Sequence, residues 1–212
     1  MNNYLYRSGK LLLIIIFLLF LTNNITVANS LEVYKVNWDN LRETSFSIIN
    51  KDENNILANF QYSIALANLG RIEEAYEHFE LISDKVTVEE FNNVLSPYIS
   101  KLQNRPNDIL LLNYAAFSSS INSEYQNSVL HFKKILSLDS DNIWIRNFLA
   151  ATYLELKEYD NAKSEANRAL DIKDNKYSHL LLGIVYYQTG NIVKAIIEIG
   201  RSGDLVNKII FK

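Results

Sequence analysis

Apolar residues recur at helical spacing, in pairs of segments, along most of the chain. The clearest pair spans residues 143–175, where Leu149, Ala150, Tyr153 and Leu154 share one face of a first helix. A second segment follows a short polar turn and carries alanines on its inward face, which allow two helices to pack closely. A helix pair this short cannot bury its apolar faces alone, so the pattern predicts similar pairs on both sides.

Three further pairs have the same pattern, at residues 56–89, 109–142 and 176–209. The turns inside the four pairs align as GRIEEA at Gly70, SEYQNS at Ser123, KEYDNA at Lys157 and GNIVKA at Gly190. The last three turns begin 34 and then 33 residues apart, whereas the first precedes the second by 53 residues. The period of the repeat is therefore constant except for one insertion of about 19 residues.

The insertion, residues 90–108, is predicted to be helical. Thr87 and Glu90 have the spacing of a capping box, and apolar residues continue at helical spacing beyond them. Pro97 lies inside this pattern, so either one helix kinks there or two short helices meet. Ahead of the first pair, residues 29–55 are predicted to contain a single leading helix that covers the end of the array.

The period and the turn pattern resemble the tetratricopeptide repeat family. At the small position of the first helix the four pairs have Ser63, Ala116, Ala150 and Gly183, and at the alanine position of the second helix they have Ala75, Ser128, Ala162 and Ala195. None of the pairs has the proline that usually closes a repeat. The resemblance implies an all-α fold, a right-handed superhelical array of helix-turn-helix repeats with an extra leading helix and a helical insert.

The resemblance also implies that the first helices line a concave groove that binds a protein or peptide partner. This groove is aromatic and neutral, with asparagines for a partner's backbone and without the basic residues of a carboxylate clamp. The alternative is that its aromatic residues pack against the leading helix or the insert. The residues predicted to contact a partner are Phe60, Ile64, Asn113, Phe117, Trp144, Asn147, Tyr177, Tyr187 and Gln188; Ala151, Leu180 and Ile184 are expected to face the same groove.

Composition argues against several other functions. The chain has no cysteine, a formal charge of −3 and no cluster of lysine or arginine, so we expect no thiol chemistry and no nucleic-acid partner. His78, His131 and His179 lie in different repeats, too far apart to share one metal ion. No catalytic motif or phosphate-binding glycine loop is present. We therefore expect no enzymatic activity, no cofactor and no metal.

Residues 1–28 are predicted to be a signal peptide or an uncleaved N-terminal anchor. Two basic residues precede the apolar run 11–21, whose eleven residues would span only about half of a ~30 Å hydrocarbon core. Small residues at Thr26-Val27-Ala28 suit a cleavage site. Export without cysteine suggests a bacterial periplasm or cell envelope, with membrane contact only if the segment stays uncleaved.

These observations predict a non-catalytic protein–protein interaction module of the bacterial cell envelope, which binds a partner segment along its groove. The alternative is a structural subunit of an envelope complex that uses its insert or convex face, its groove being filled from within.

Overall fold

The computed structural model describes residues 35–205, and all regular secondary structure in this range is helical. Residues 1–34 and 206–212 lie outside the described range, and with them the predicted signal peptide and the last residues of the fourth repeat. The helices are α1 (Trp38–Ile49), α2 (Ile56–Asn68), α3 (Ile72–Lys85), α4 (Val88–Ile99), a 3-10 turn (Ser100–Gln103), α5 (Ile109–Ile121), α6 (Tyr125–Leu138), α7 (Ile143–Glu155), α8 (Tyr159–Ile172), α9 (Lys176–Gln188) and α10 (Ile192–Arg201).

Eight of these helices form four pairs, which we call unit 1 (α2 and α3), unit 2 (α5 and α6), unit 3 (α7 and α8) and unit 4 (α9 and α10). In units 2 to 4 each second helix packs against its own first helix, and α6 and α8 also pack against the first helix of the next unit. This succession of stacked helix pairs is the all-α repeat array that the periodicity predicts.

Each first helix begins at the same kind of cap. Asn55, Asp108, Asn142 and Asn175 precede α2, α5, α7 and α9, and their side-chain oxygens accept backbone N–H groups of the first turn at 2.9–3.1 Å. Such a cap satisfies a donor that the helix itself leaves unpaired, and is typically worth about 1 kcal/mol.

Each first helix also ends in the same turn. Gly70 and Gly190 have φ of +79°, while Ser123 and Lys157, at the equivalent positions, have φ of +59°. In all four turns the next residue donates its N–H to a carbonyl five residues earlier, as Arg71 does to Leu66 at 2.9 Å. Four different turn sequences thus share one backbone geometry, which explains how they make the same hairpin.

The insert is a single helix, α4, with Pro97 in its last turn and a 3-10 turn directly after it. The capping box between Thr87 and Glu90 is confirmed. Phe91 and Leu95 are buried, and α4 packs against α5 on the side where the second helix of a preceding unit would otherwise lie. Unit 1 is therefore displaced from the regular stack, with α1 packed on the outside of α2.

Candidate partner-binding surface

The first helices of units 2 to 4, α5, α7 and α9, form one continuous surface, which we call the first-helix face. Unit 1 does not extend this surface; it lies across it. Its residues Asn68, Gly70 and Glu73 contact Asn113 on α5, Trp144 on α7 and Tyr177 on α9, respectively. Part of the predicted groove is thus filled by the first repeat of the same chain.

The turn of unit 1 fits against the indole ring of Trp144. A Cβ atom added at Gly70 would lie 2.5 Å from Cε2 of Trp144, which is closer than real side-chain contacts allow. Glycine at this position therefore serves two purposes, because it permits the positive φ of the turn and leaves room for the ring. The indole also meets Tyr177 edge to face, with ring centroids 5.9 Å apart.

Glu73, in the first turn of α3, joins unit 1 to the start of α9. Its carboxylate accepts hydrogen bonds from the Tyr177 hydroxyl and from Nζ of Lys176, the latter at 2.6 Å. Partial burial acts to raise the pKa of Glu73, but these two hydrogen bonds, a backbone hydrogen bond and the charge of Lys176 together leave that pKa below its ordinary value. Burial and the bond to Glu73 raise the pKa of Tyr177, so its hydroxyl remains a donor. We call the contacts of Gly70 and Glu73 with α7 and α9 the clasp.

Four of the residues predicted to contact a partner are buried beneath unit 1 or within it. Phe60 and Ile64 have no exposed surface, and Phe60 packs edge-on against Phe91 of the insert at 5.1 Å. Phe117 stacks on Phe79 of unit 1 with ring centroids 5.2 Å apart. Asn113 is fully buried, where it accepts a hydrogen bond from Asn68 and donates one to the Ile109 carbonyl.

Of the other five, Trp144 is half-buried and Asn147 and Tyr177 are buried, whereas Tyr187 and Gln188 are exposed. The Asn147 amide donates to Asn175 at 3.1 Å and accepts from the Ser178 hydroxyl at 2.6 Å. Both groove asparagines are thus engaged within the chain and do not present free groups to a partner's backbone. The assignment of the nine residues to partner binding stays a prediction, and the structure places them in three different environments.

An open part of the first-helix face remains between α7 and α9, beyond the clasp. Two adjoining cavities of about 180 and 610 Å³ share Ala151, Leu181 and Ile184 as their common floor. Ile72 and Phe148 line the end near the clasp, and all five of these side chains are half-buried. The far end is polar, formed by the exposed residues Glu155, Lys157 and Gln188. We call this depression the α7/α9 trough.

The trough contains Ala151, Leu180, Ile184 and Gln188, which the repeat register places in the groove. Phe148 and Leu181 are not among the predicted residues, although each lies one helical turn after one that is, Trp144 and Tyr177. Both residues could have been predicted to face the groove, because residues four apart share one face of a helix. Ile72 comes from unit 1 and has no such signal, because the repeat period does not specify contacts between distant units.

The remaining polar clusters have structural explanations. His179 lies 2.6 Å from Glu198 and 2.8 Å from Asp174, so it connects α9 to α10 and to the preceding loop. Within residues 35–205 no group of three or more histidine, aspartate or glutamate side chains is placed to hold a metal ion. The same range contains no helix long and apolar enough to cross a membrane.

Comparison with known proteins bears on the repeats. The family model described as tetratricopeptide repeat matches residues 145–176, which is most of unit 3. No protein with a curated description matches the sequence.

Among solved structures, the chain is similar to a mutant form of MamA, with a TM-score of 0.50, 16% identity, and coverage of 72% of this chain and 93% of that one. "MamA 41-end from Desulfovibrio magneticus RS-1" aligns over 81% and 87% of the two chains at 14% identity with a TM-score of 0.47. The first of these likenesses supports the overall fold. The family match shows a tetratricopeptide repeat in unit 3, and the shared turns and stacked helix pairs show that the other units have the same helix-turn-helix architecture.

Proposed function

We propose that this protein is an interaction module of the bacterial cell envelope that binds an apolar segment of a partner protein in the α7/α9 trough. The tetratricopeptide repeat supports a role in protein–protein contact, since arrays of this kind offer extended surfaces for partners. The observation that carries the choice of site is the trough itself. It is the part of the first-helix face that unit 1 leaves open, and its floor is apolar.

The chemistry of the trough favours a helical partner segment. Phe148, Leu181 and Ile184 are half-buried, so a partner side chain placed over them removes further apolar area from water, at roughly 25 cal/mol per Å². Asn147 already has partners for its amide within the chain. An extended segment would therefore lack partners for its backbone over the apolar floor, whereas an amphipathic helix satisfies its backbone internally.

The length of the trough fits about two turns of helix. Its floor runs along α7 from Phe148 to Glu155, a span of roughly 10–12 Å at the rise of an α-helix. The small side chain of Ala151 leaves a hollow between larger neighbours, where a leucine or phenylalanine of the partner would fit. Charged residues of the partner would lie at the polar end, near Glu155 and Lys157.

Site-specific photo-cross-linking tests the site. A photoreactive amino acid in place of Ile184 in the full chain should cross-link one partner in cells, and the linked peptide should be an apolar helical segment. Ala151→Arg should abolish this cross-link because it fills the floor with a charged side chain. The matched control is the photoreactive residue in place of Leu130, an exposed position on the second helix of unit 2. Equal labelling from both positions, or insensitivity to Ala151→Arg, would exclude the trough as the site.

The envelope location is supported by the pattern of residues 1–28, with a basic start, a short apolar run and small residues at 26–28. Cell fractionation with mass spectrometry of the mature N-terminus tests it. A chain that begins at residue 29 or 30 in the periplasmic fraction is the expected result, and a chain retaining residues 11–21 in the membrane fraction would indicate the anchor instead. An intact chain found only in the cytosol would contradict export.

A second candidate function is favoured by the position of unit 1. Because unit 1 fills part of the first-helix face, the protein could serve as a structural subunit that uses other surfaces. Val88, the first residue of α4, is 58% exposed and offers a test of this alternative. A photoreactive residue there, or in place of Leu130, would then capture the partner while the residue in place of Ile184 would not.

A further inference from the structure

Helix α10 has an apolar stripe on the side that faces away from α9. The stripe consists of Ile192, Val193, Ile196 and Ile197, whose exposed fractions are 49%, 72%, 67% and 49%. Their spacing along the helix places them on one continuous face, opposite Ala195, which is buried against α9. A contiguous apolar patch that is exposed to water marks an interaction site.

The equivalent positions of unit 3 show that this stripe is unusual within the protein. There, α8 has Tyr159, Asp160, Lys163 and Ser164 in place of the four aliphatic residues. Unit 4 packs over α8, yet Asp160 and Ser164 remain exposed. A further repeat stacked on unit 4 in the same way would therefore leave Val193 and Ile197 uncovered, so repeat stacking does not account for them.

Gly200 continues the stripe by one more turn. A Cβ atom there would have no neighbour within 4 Å, and the left-handed turn after α10 is made by Gly203, with φ of +64°. Glycine weakens a helix relative to alanine, and nothing else in the described part of the chain requires it at this position. It does leave a gap beside Ile196 and Ile197 into which a side chain from another helix can fit.

We propose that the stripe on α10 binds the same stripe on a second copy of the chain. An antiparallel pair of α10 helices, with its two-fold axis between Ile196 and Ile197, places Val193 of each copy over Gly200 of the other. Such a contact is self-complementary, as a two-fold interface must be.

The charges around the stripe agree with a like partner. None of the stripe residues is ionisable, and Glu198 is already bonded to His179 and Arg201 of its own chain, at 2.6 and 3.0 Å. An uncharged surface is best matched by another uncharged surface, which a second copy supplies. One face of a ten-residue helix is small beside the ~800 Å² per partner of a standard interface, so the dimer is weak and concentration-dependent.

Disulfide cross-linking tests this directly, because the full chain contains no cysteine. Ile197→Cys lies beside the two-fold axis and should form a disulfide-linked dimer after mild oxidation of cells that produce the full chain. Leu130→Cys is the matched control, because Leu130 holds the same register position in α6 and is 65% exposed. We expect at least about tenfold more dimer from Ile197→Cys, and loss of that dimer when Ile196→Glu is added.

The register has its own test. Val193→Cys and Gly200→Cys chains, differently tagged and mixed, should cross-link to each other more than either does to itself. Equal dimer formation by the Ile197→Cys and Leu130→Cys chains would overturn the proposal. A second result would also overturn it: the Ile197→Cys/Phe211→Cys variant forms a disulfide within one chain, while Ile197→Cys alone forms no dimer. The residues after Leu205 would then cover the stripe. A cross-link at the mass of a different protein would replace the second copy with that partner.

Discussion

The two halves of the molecule solve the same packing problem with different side chains. Around unit 1, the insert and α5, helices are separated by aromatic rings, and the ring of Phe60 lies within 6 Å of both Phe91 and Tyr114, centroid to centroid. In units 3 and 4 the helices meet over small residues, with Ala150 and Ala166 buried against Leu182. Alanine allows a close and regular spacing of helices, whereas aromatic rings fill the irregular space that the insert creates.

One register position shows the contrast most clearly. Phe132 in α6 and Ala166 in α8 occupy equivalent places, and both are buried. Phe132 contacts Phe117 and Phe148, with ring centroids 5.2 and 6.3 Å away, so it belongs to the aromatic half. The family model matches only residues 145–176, in the alanine half. The family's sequence pattern is therefore found in the alanine half, whereas the aromatic half has the same kind of helix pair with a different core.

The largest expected effect comes from exchanging these two side chains. Phe132→Ala should lower the free energy of unfolding by about 3–5 kcal/mol, because it leaves a cavity beside two aromatic rings. Ala166→Phe should cost about 1–3 kcal/mol or more, because the close helix packing in unit 3 has no room for the ring. Urea unfolding of each variant measures both. Leu130→Ala, at an exposed position of α6, should change stability by less than about 0.5 kcal/mol. Similar losses from all three would show that the two halves are not packed differently.

The clasp between the halves can be tested by comparing two glycines. Gly70→Ala and Gly190→Ala both place alanine at φ of +79°, which costs each about 1–2 kcal/mol. Only Gly70→Ala also forces Trp144 to move, since nothing lies within 4 Å of a Cβ atom at Gly190. We expect Gly70→Ala to cost about 1–3 kcal/mol more, with a change in tryptophan fluorescence. Equal losses in unfolding free energy would mean that the indole contact contributes nothing.

The smallest expected effect concerns the charge of Glu73. Because its pKa in the folded protein is below the ordinary value of about 4.3, the carboxylate stabilises the fold above that pH, and the contribution is lost as pH falls through the lowered pKa. Glu73→Gln should therefore cost about 1 kcal/mol or less at pH 7, with the deficit shrinking below about pH 4. Urea unfolding between pH 3 and 7 measures this, with Glu155→Gln at the exposed end of the trough as control. A deficit that is independent of pH would contradict an ionic role.

The local features of the fold follow from the sequence. The apolar spacing and the repeat period were sufficient to predict paired helices, and the capping box at Thr87 is confirmed. These features depend on residues a few positions apart. For the same reason the sequence left two arrangements open at Pro97, where the structure has one helix with the proline in its last turn.

The position of unit 1 could not be predicted in this way. Glu73 meets Tyr177 across a separation of 104 residues, and repeat spacing specifies only contacts between neighbouring units. Asn113 and Asn147 look like groups available to a partner when the first helices are considered alone. Their actual partners, Asn68 and Ser178, become visible only when the units are placed in space. The α7/α9 trough is what remains of the predicted groove after this placement.

The clasp also bears on how the chain folds and opens. A simple solenoid can nucleate at any repeat and fray from either end, because each unit depends only on its neighbours. Here unit 1 can complete its contacts only after α7 and α9 have formed, so the first repeat to be synthesised is among the last to be secured. The clasp joins residues that are far apart in the sequence. Because contacts of this kind form slowly, we expect the protein to fold more slowly than an array without the clasp. The clasp also couples the first repeat to the last, so we expect the described part of the molecule to open as one cooperative unit.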